Sequence, residues 1–327
     1  MKMSQASKEF IDGYFSTHNL SAKTRAAYCS DLAQFREFVG EEHELMSLGA
    51  TDIENWTANL RVKEYSAASI RRKIVTLRVF CSYWLRRGII TESPFWRVKL
   101  SFGRIEQLPR ALTFGEISAL LQQARAANLM VEIKIDGKGQ NHTASTHQFS
   151  FNRYSANRNL ALLDLLFATG MRVGEASALD LEDFLVEEDV FRVKGKGGRH
   201  RLACVVDEET VRIQQIHLVM RRQFETTCKA LFLNISGERL STQGIANIIA
   251  QFRKDAGIER HITPHMLRHT VATLLLRNGA DIRVVQEFLG HTSIATTQRY
   301  THITKEHLIG VLRKHHPSLN LRAQAEI

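Results

Sequence analysis

Gly290-His291-Thr292-Ser293-Ile294-Ala295-Thr296-Thr297-Gln298-Arg299-Tyr300 places a tyrosine nine residues after a histidine, downstream of a second cluster, Thr263-Pro264-His265-Met266-Leu267-Arg268-His269. Proline at 264 favours a helix start, so His265 and Arg268, at i and i+3, project from one face of a first turn. One of the pair can exchange a proton while the other binds charge on the same phosphate. A phenol is a poor nucleophile at neutral pH unless its proton is taken, and a phosphodiester resists attack unless cations neutralise its non-bridging oxygens. Two arginines, the second being the distant Arg172, and two histidines beside one tyrosine meet both needs with no metal and no cofactor. A zinc site at His265 and His269, which have the i, i+4 spacing of His-Glu-x-x-His, is excluded because Met266 stands where the glutamate base would be.

The rest of the chain fits a nucleic-acid partner. It has 327 residues, 44% of them hydrophobic, and four prolines, which indicates folded structure with room for two domains. The net charge of +10 and a pI near 9.6 call for an anionic partner, and nucleic acid is favoured over a membrane surface because basic residues recur along the whole chain. Met1-Lys2-Met3-Ser4-Gln5 lacks the apolar core of a signal peptide and no apolar run is long enough to span a bilayer. The expected location is the cytoplasm. Cys29, Cys81, Cys204 and Cys228 show no Cys-x-x-Cys spacing and read as buried reduced thiols.

Apolar periodicity predicts a mainly α fold with a small β-sheet (α+β). Tyr28, Leu32, Phe35 and Val39 repeat at helical spacing between Ser21 and Gly40. Thr51-Asp52-Ile53-Glu54 reads as a capping box for a second helix. A third starts near Ser66, with Ile70, Ile74, Leu77, Cys81, Trp84 and Leu85 as its apolar stripe. Its basic residues, among them Arg71, Arg72, Lys73 and Arg78, form either a DNA-facing surface or a solvated charged face. The pattern lapses between Lys99 and Ala111, so a helical amino-terminal domain is expected over 1–105, a linker over 106–111 and a second domain over 112–327. Thr113-Phe114-Gly115-Glu116 is another capping box. Val131, Ile133 and Ile135, and then His147, Phe149 and Phe151, alternate on either side of Asp136-Gly137, which predicts an inserted hairpin over 131–157. Val190–Val193 and Arg201–Val206 read as strands, and from Asp207 onward the chain reads as helical apart from a link around Asn234–Gly237.

In Thr169-Gly170-Met171-Arg172-Val173-Gly174-Glu175, Arg172 stands at a helix junction with Glu175 three residues later on the same face. The guanidinium is either a phosphate fork held by that carboxylate or a structural ion-pair partner. His269 reads as a packed histidine supporting its neighbours. The turn Lys194-Gly195-Lys196-Gly197-Gly198-Arg199-His200 lacks the spacing of a Walker loop. Lys194 and Arg199 there suit DNA, and Lys196 either reaches a scissile phosphate or is an exposed lysine on a turn.

Together, Ala168-Thr169-Gly170-Met171-Arg172, Val193-Lys194-Gly195-Lys196-Gly197, His265-Met266-Leu267-Arg268-His269-Thr270 and Leu289–Ile294 through Tyr300-Thr301-His302 resemble the signature segments of tyrosine recombinases, the phage-integrase superfamily, and most closely its Xer-type branch. The resemblance covers the catalytic half from about Leu112 to His302; the amino-terminal half is similar only in helical pattern and charge. It implies a core-binding helical domain and a catalytic domain that together encircle duplex DNA. It also implies phosphate clamping by Arg172 and Arg268, proton handling by His265, a general acid at Lys196, a phosphate donor at His291, the nucleophile at Tyr300 and support from Glu175. The expected partners are double-stranded DNA with paired recombination half-sites and further copies of the chain, forming a tetramer, alone or with a related recombinase or accessory protein. The apolar face of Leu308, Ile309, Val311 and Leu312 would, by the same resemblance, be an interaction helix docking on a neighbouring subunit; read from its residues alone it is equally a lid over the protein's own core. Two other activities share features with this reading: a type IB topoisomerase and a DNA-binding protein that does not cut.

Overall fold

Serine caps open two of the four helices of the amino-terminal part of the chain. The computed structural model describes residues 1–101, 111–136, 146–195, 200–224, 226–290, 305–319 and 321, and divides the chain into two compact units, Met1–Gln107 and Leu108–Ile327. In the first unit lie α1 (Met3–Thr17), α2 (Ala22–Val39), α3 (Ala50–Val62) and α4 (Ala67–Arg86). Ser21 accepts the Thr24 N–H and Ser66 the Ser69 N–H, so each hydroxyl satisfies one of the amides a helix start leaves free. Gly40 closes α2 at φ +100°, a conformation that side chains with a Cβ rarely adopt.

Two expectations for this unit are corrected, and one helix was not expected. The α3 cap is Gly49, whose N–H donates to Asp52 Oδ2 at 2.8 Å. The expected box at Thr51 and Glu54 therefore falls inside the helix, because the Asp52 carboxylate already meets the need two residues earlier. Helix α1 is missing from the sequence reading. Its Met3, Ala6, Phe10 and Ile11 are buried, with Phe10 edge-on to Phe80 at 5.3 Å. Lys73, expected among the DNA-facing residues, is 2% exposed. It stands on the core face of α4 beside Ile70, Ile74 and Leu77, where its ammonium donates to buried Asp31 at 3.0 Å and to Gln34 at 2.7 Å. A buried carboxylate needs a cation, and Lys73 supplies it. Arg72 shares Asp31 from the more exposed side, and the exposed Arg78 guanidinium lies over the Phe95 ring at 5.1 Å. Arg71 is exposed.

The second unit contains α5 (Phe114–Asp136), α6 (Thr146–Thr169), α7 (Val173–Ala178), β1 (Phe184–Leu185), β2 (Val190–Lys194), β3 (His200–Cys204), α8 (Glu208–Arg222), α9 (Thr242–Asp255), α10 (Pro264–Arg277), α11 (Ile282–Leu289) and α12 (Lys305–His315). The capping box at its entrance forms: Thr113 N–H donates to Glu116 Oε2 at 2.7 Å and Glu116 N–H to Thr113 Oγ1 at 3.2 Å. Helix α6 runs through the middle of the unit, buried almost all round between Leu160 and Ala168, and packs against α5, α7, α8 and α10. The strands form one antiparallel sheet in the order β1-β2-β3, with Val193 opposite Arg201 and Lys194 opposite His200.

The hairpin expected over 131–157 is not a hairpin. Residues 131–136 continue α5 and 146–157 begin α6; 137–145 lie outside the described residues. Alternation over so few residues does not separate strand from helix. A helix already nucleated at the Thr113 box gains a hydrogen bond for each residue added, whereas a lone two-stranded ribbon is marginal. The non-helical link near Asn234 is also longer than expected, running from the end of α8 at Arg222 to α9 at Thr242. There Arg221 (2% exposed) donates to the carbonyls of Ala230 and Cys228, and Arg158 (6% exposed) to that of Leu233. These buried guanidiniums satisfy backbone acceptors that no helix or strand partner meets. Of the thiols, Cys81 and Cys204 are buried, whereas Cys29 is exposed and Cys228 half-buried, and none of the four forms a disulfide.

Helix α12 uses its apolar face within its own unit. Leu308 and Leu312 join the core, the Asn278 side chain donates to His315 O at 2.8 Å, and buried His316 meets the rings of Phe167 and Phe288.

Candidate active site

Helix α6 ends at Thr169, and Gly170 turns the chain at φ +56°. A Cβ at Gly170 would lie 2.6 Å from Leu289 Cδ2, so both conformation and close approach require glycine here. Met171, 1% exposed, anchors the turn, and Arg172 then stands at the N-cap of α7. Glu175, in the first turn of α7, receives the Arg172 backbone N–H at 2.9 Å on Oε2 and Arg172 Nη1 at 2.6 Å on Oε1. The i, i+3 pairing expected from sequence therefore forms. The Arg172 side chain remains 41% exposed while that of Glu175 is only 8% exposed, which leaves the guanidinium held on one edge and open on the other.

Glu175 has a second partner that the sequence reading did not identify. Arg201, on β3, donates from Nη2 to Glu175 Oε2 at 3.0 Å and from Nη1 to Phe288 O at 3.0 Å. Its signal was present: on a strand Arg201 shares a face with Ala203 and Val205, both buried, and an inward-facing arginine needs an acceptor. Burial opposes ionisation of Glu175, but the Arg172 amide and the two guanidiniums outweigh it and hold its carboxyl below the ordinary range.

Arg268 comes from α10, whose start is set by Thr263 as N-cap and Pro264 at the first helical position. It is buried and donates from Nη1 to Gly170 O and from Nη2 to Leu289 O, each at 2.7 Å. Burial, and then the positive charge of Arg172, bring its pKa down to about 10, so it stays charged at neutral pH. Each Nη carries a further N–H, and the same guanidinium that ties two turns together retains donors. His265 lies one turn earlier but is exposed while Arg268 is buried, so the two do not share the single face expected from their i, i+3 spacing. His269 is exposed as well, which corrects the expectation of a packed histidine: four residues from His265, it shares that outer face, while Leu267, Arg268, Thr270 and Val271 face inward.

Helix α11 ends at Leu289, and Gly290 caps it in the left-handed region at φ +65°. The described part of the site therefore gathers the end of α6, the start of α7, the first turns of α10, the end of α11 and the start of β3 around one carboxylate and three arginines. Lys196, Arg199, His291 and Tyr300 lie outside the described residues. Lys194 is the last residue of β2, opposite His200, and its ammonium faces Asp180 and Asp183 at 3.6 and 3.9 Å. Among the described residues no cluster of His, Cys, Asp or Glu could hold a metal ion, and no helix is long and apolar enough to cross a membrane.

Comparison with known proteins bears on the whole chain. Residues 143–307 match the Phage integrase family and residues 8–88 the Phage integrase, N-terminal SAM-like domain. The Tyrosine recombinase XerC of Listeria innocua is 33% identical over 318 residues, covering 96% of this chain and 98% of the relative. The Tyrosine recombinase XerD of Staphylococcus epidermidis is 33% identical, covering 95% and 98%. Among solved structures, a lambda integrase(75-356) dimer bound to a COC' core site shares the fold with a TM-score of 0.67 at 16% identity, over 93% of this chain and all of that one. The expectation drawn from the four sequence segments is met: the chain belongs to the phage integrase family, among its Xer-type tyrosine recombinases.

Proposed function

We propose that the protein cuts and rejoins DNA at specific sites through a covalent 3′-phosphotyrosine intermediate. The observation that carries this reading is the convergence of Arg172 and Arg268 around Glu175, with His265 on the exposed side of the helix that bears Arg268. Two guanidiniums held by second partners are preorganised donors for charge developing on a phosphodiester, and preorganisation of this kind is a large term in catalysis. Arg172 and Arg268 clamp the non-bridging oxygens, His265 takes the phenolic proton and contacts the phosphate, and His291 donates a further hydrogen bond. Tyr300 Oη forms the new bond to phosphorus as the bond to the 5′ oxygen breaks, and Lys196 protonates the leaving oxygen. The phosphodiester energy is kept in the tyrosyl ester, so a second strand's 5′ hydroxyl reverses the step without ATP.

The substrate is duplex DNA with paired half-sites, consistent with the net charge of +10 and with relatives named as recombinases over nearly the full chain. The exposed Arg71 and Arg78 of α4, with Arg72, Lys194 and Arg199, are the candidate DNA contacts. The linker over 106–111 would let the amino-terminal and catalytic domains act on one duplex. Homo-oligomers on DNA, tetramers in the full exchange reaction, are proposed by likeness to a solved lambda integrase tetramer bound to a Holliday junction; a related recombinase or an accessory protein would join where the two half-sites differ. The cytoplasm is where such a reaction would take place.

A nicked suicide substrate, in which the released fragment diffuses away, tests the chemistry. Wild-type protein should give a covalent protein–DNA adduct, and Tyr300→Phe should give none while retaining DNA affinity. Absence of adduct from the wild type would favour a DNA-binding protein that does not cut; adduct without exchange between two sites would favour a topoisomerase-like strand transferase.

A further inference from the structure

Arg201 meets three segments that carry the site, yet none of the roles above requires it. Its Nη2 holds Glu175 Oε2, the oxygen that also receives the Arg172 backbone N–H, while Arg172 Nη1 takes Oε1. Its Nη1 holds Phe288 O, next to the Leu289 carbonyl that Arg268 holds. Its aliphatic arm passes so close to Gly290 that a Cβ there would lie 2.4 Å from Arg201 Cδ. In the sheet Arg201 faces Val193, one pair inside the last ladder pair, Lys194 with His200. One side chain thus fastens the β2–β3 ribbon to the carboxylate under Arg172 and to the carboxy-terminal end of α11.

The consequence for Arg172 follows from counting its restraints. A half-exposed arginine has several rotatable bonds and loses substantial entropy when fixed, and the described structure fixes its guanidinium through a single hydrogen bond to Glu175. Glu175 can present Oε1 to Arg172 only while its own carboxylate is fixed, and Arg201 is the side chain that fixes the other oxygen. Without Arg201 the Arg172 backbone N–H alone would hold Oε2, and the loosened carboxylate would tilt toward the Arg172 guanidinium, drawing it down and away from a substrate phosphate.

We propose that Arg201 is a positioning residue for strand cleavage, setting the direction of the Arg172 guanidinium through the shared Glu175 carboxylate. This rests on the reading of Arg172 as a phosphate ligand. Misplacement by about an ångström costs on the order of a hundredfold in rate. Arg201→Ala should therefore slow single-turnover cleavage by roughly tenfold to a hundredfold while changing DNA affinity by less than about twofold.

The test uses the full-length protein and two suicide substrates, one with an ordinary scissile phosphate and one with a methylphosphonate at that position. The methylphosphonate lacks the non-bridging negative charge, so the defect of Arg172→Ala should shrink on it. If Arg201 acts through Arg172, the defect of Arg201→Ala shrinks in the same proportion, and adding it to Glu175→Ala causes no further loss. A merely structural role gives Arg201→Ala the same fold-defect on both substrates, which would overturn the proposal. If Arg172→Ala is not relieved by the methylphosphonate, the phosphate role of Arg172 fails and the positioning role fails with it. If Arg172→Ala is relieved and Arg201→Ala is not, only the positioning role fails. Should Arg201→Ala unfold, Arg201→Met, which keeps the aliphatic arm but has no donor for Glu175 or Phe288 O, takes its place with the same criteria.

Discussion

Arg268→Ala and Arg172→Ala should both abolish most cleavage yet differ sharply in stability. Arg268 is 8% exposed and donates to Gly170 O and Leu289 O. Truncation leaves two buried carbonyls without these donors, at about 1–3 kcal/mol each, or about 2–6 kcal/mol together. At about 2–4 °C per kcal/mol for a domain of this size, the midpoint of thermal unfolding falls by roughly 5–20 °C. Arg172 is 41% exposed, and its loss leaves Glu175 with Arg201 and the residue-172 backbone N–H. An ion pair that open to solvent is worth about 1 kcal/mol or less. Single-turnover adduct formation should drop on the order of a hundredfold for either variant, as for other donors to transition-state charge. Denaturant or thermal unfolding of both proteins, beside the adduct assay, measures the difference. An Arg268→Ala protein as stable as Arg172→Ala would refute the idea that Arg268 joins two turns as well as serving the phosphate.

Lys196→Ala should lose cleavage of an ordinary phosphodiester and recover it on a substrate whose bridging 5′ oxygen is sulfur, which leaves without an acid; failure to recover would move the acid role elsewhere. In the amino-terminal unit, Lys73→Ala should destabilise by about 1–3 kcal/mol by taking a charged donor from buried Asp31, which keeps Arg72 and Thr76. Arg71→Ala, at an exposed position, should cost less stability than Lys73→Ala and lower both DNA affinity and, by about one, the slope of its salt dependence; unfolding curves and salt titrations of the two variants check this. Burial holds His217 down at about 3, against an ordinary 6.5, so between those values the unfolded chain binds the extra proton and stability falls as the pH is lowered. A His217→Gln variant, compared with wild type by unfolding between pH 4 and 7, should show a shallower loss, by up to about 1.4 kcal/mol per pH unit. Leu312→Ala, removing a core contact of α12, should cost about 2–5 kcal/mol in dilute protein free of DNA. A loss seen only in assembly on DNA would mean that the helix contributes chiefly to a neighbouring subunit.

The sequence by itself determined the family, the mainly helical architecture and the pairing of Arg172 with Glu175. These are carried by local signals: helix starts at Ser21 and near Ser66, the Thr113–Glu116 box, Pro264 at a helix start, and the three-residue spacing of Arg172 with Glu175. Each depends on neighbours within one helical turn, so it survives without knowledge of the fold. Short alternating runs misled the reading over 131–157 because residue periodicity there does not reveal that a helix nucleated upstream simply continues. What only the tertiary structure decided is which charges face inward. Lys73 and Arg71 are two residues apart on one helix, and nothing in that spacing says that the first meets a buried Asp31 from α2. Arg201 shares an inward strand face with Ala203 and Val205, but which acceptors it meets appears only when β3 is laid against α7 and α11. The role of a buried cation is set by the acceptor brought to it across the fold, Glu175 from 26 residues away or Gly170 O from 98, and no pattern along the chain encodes such a meeting.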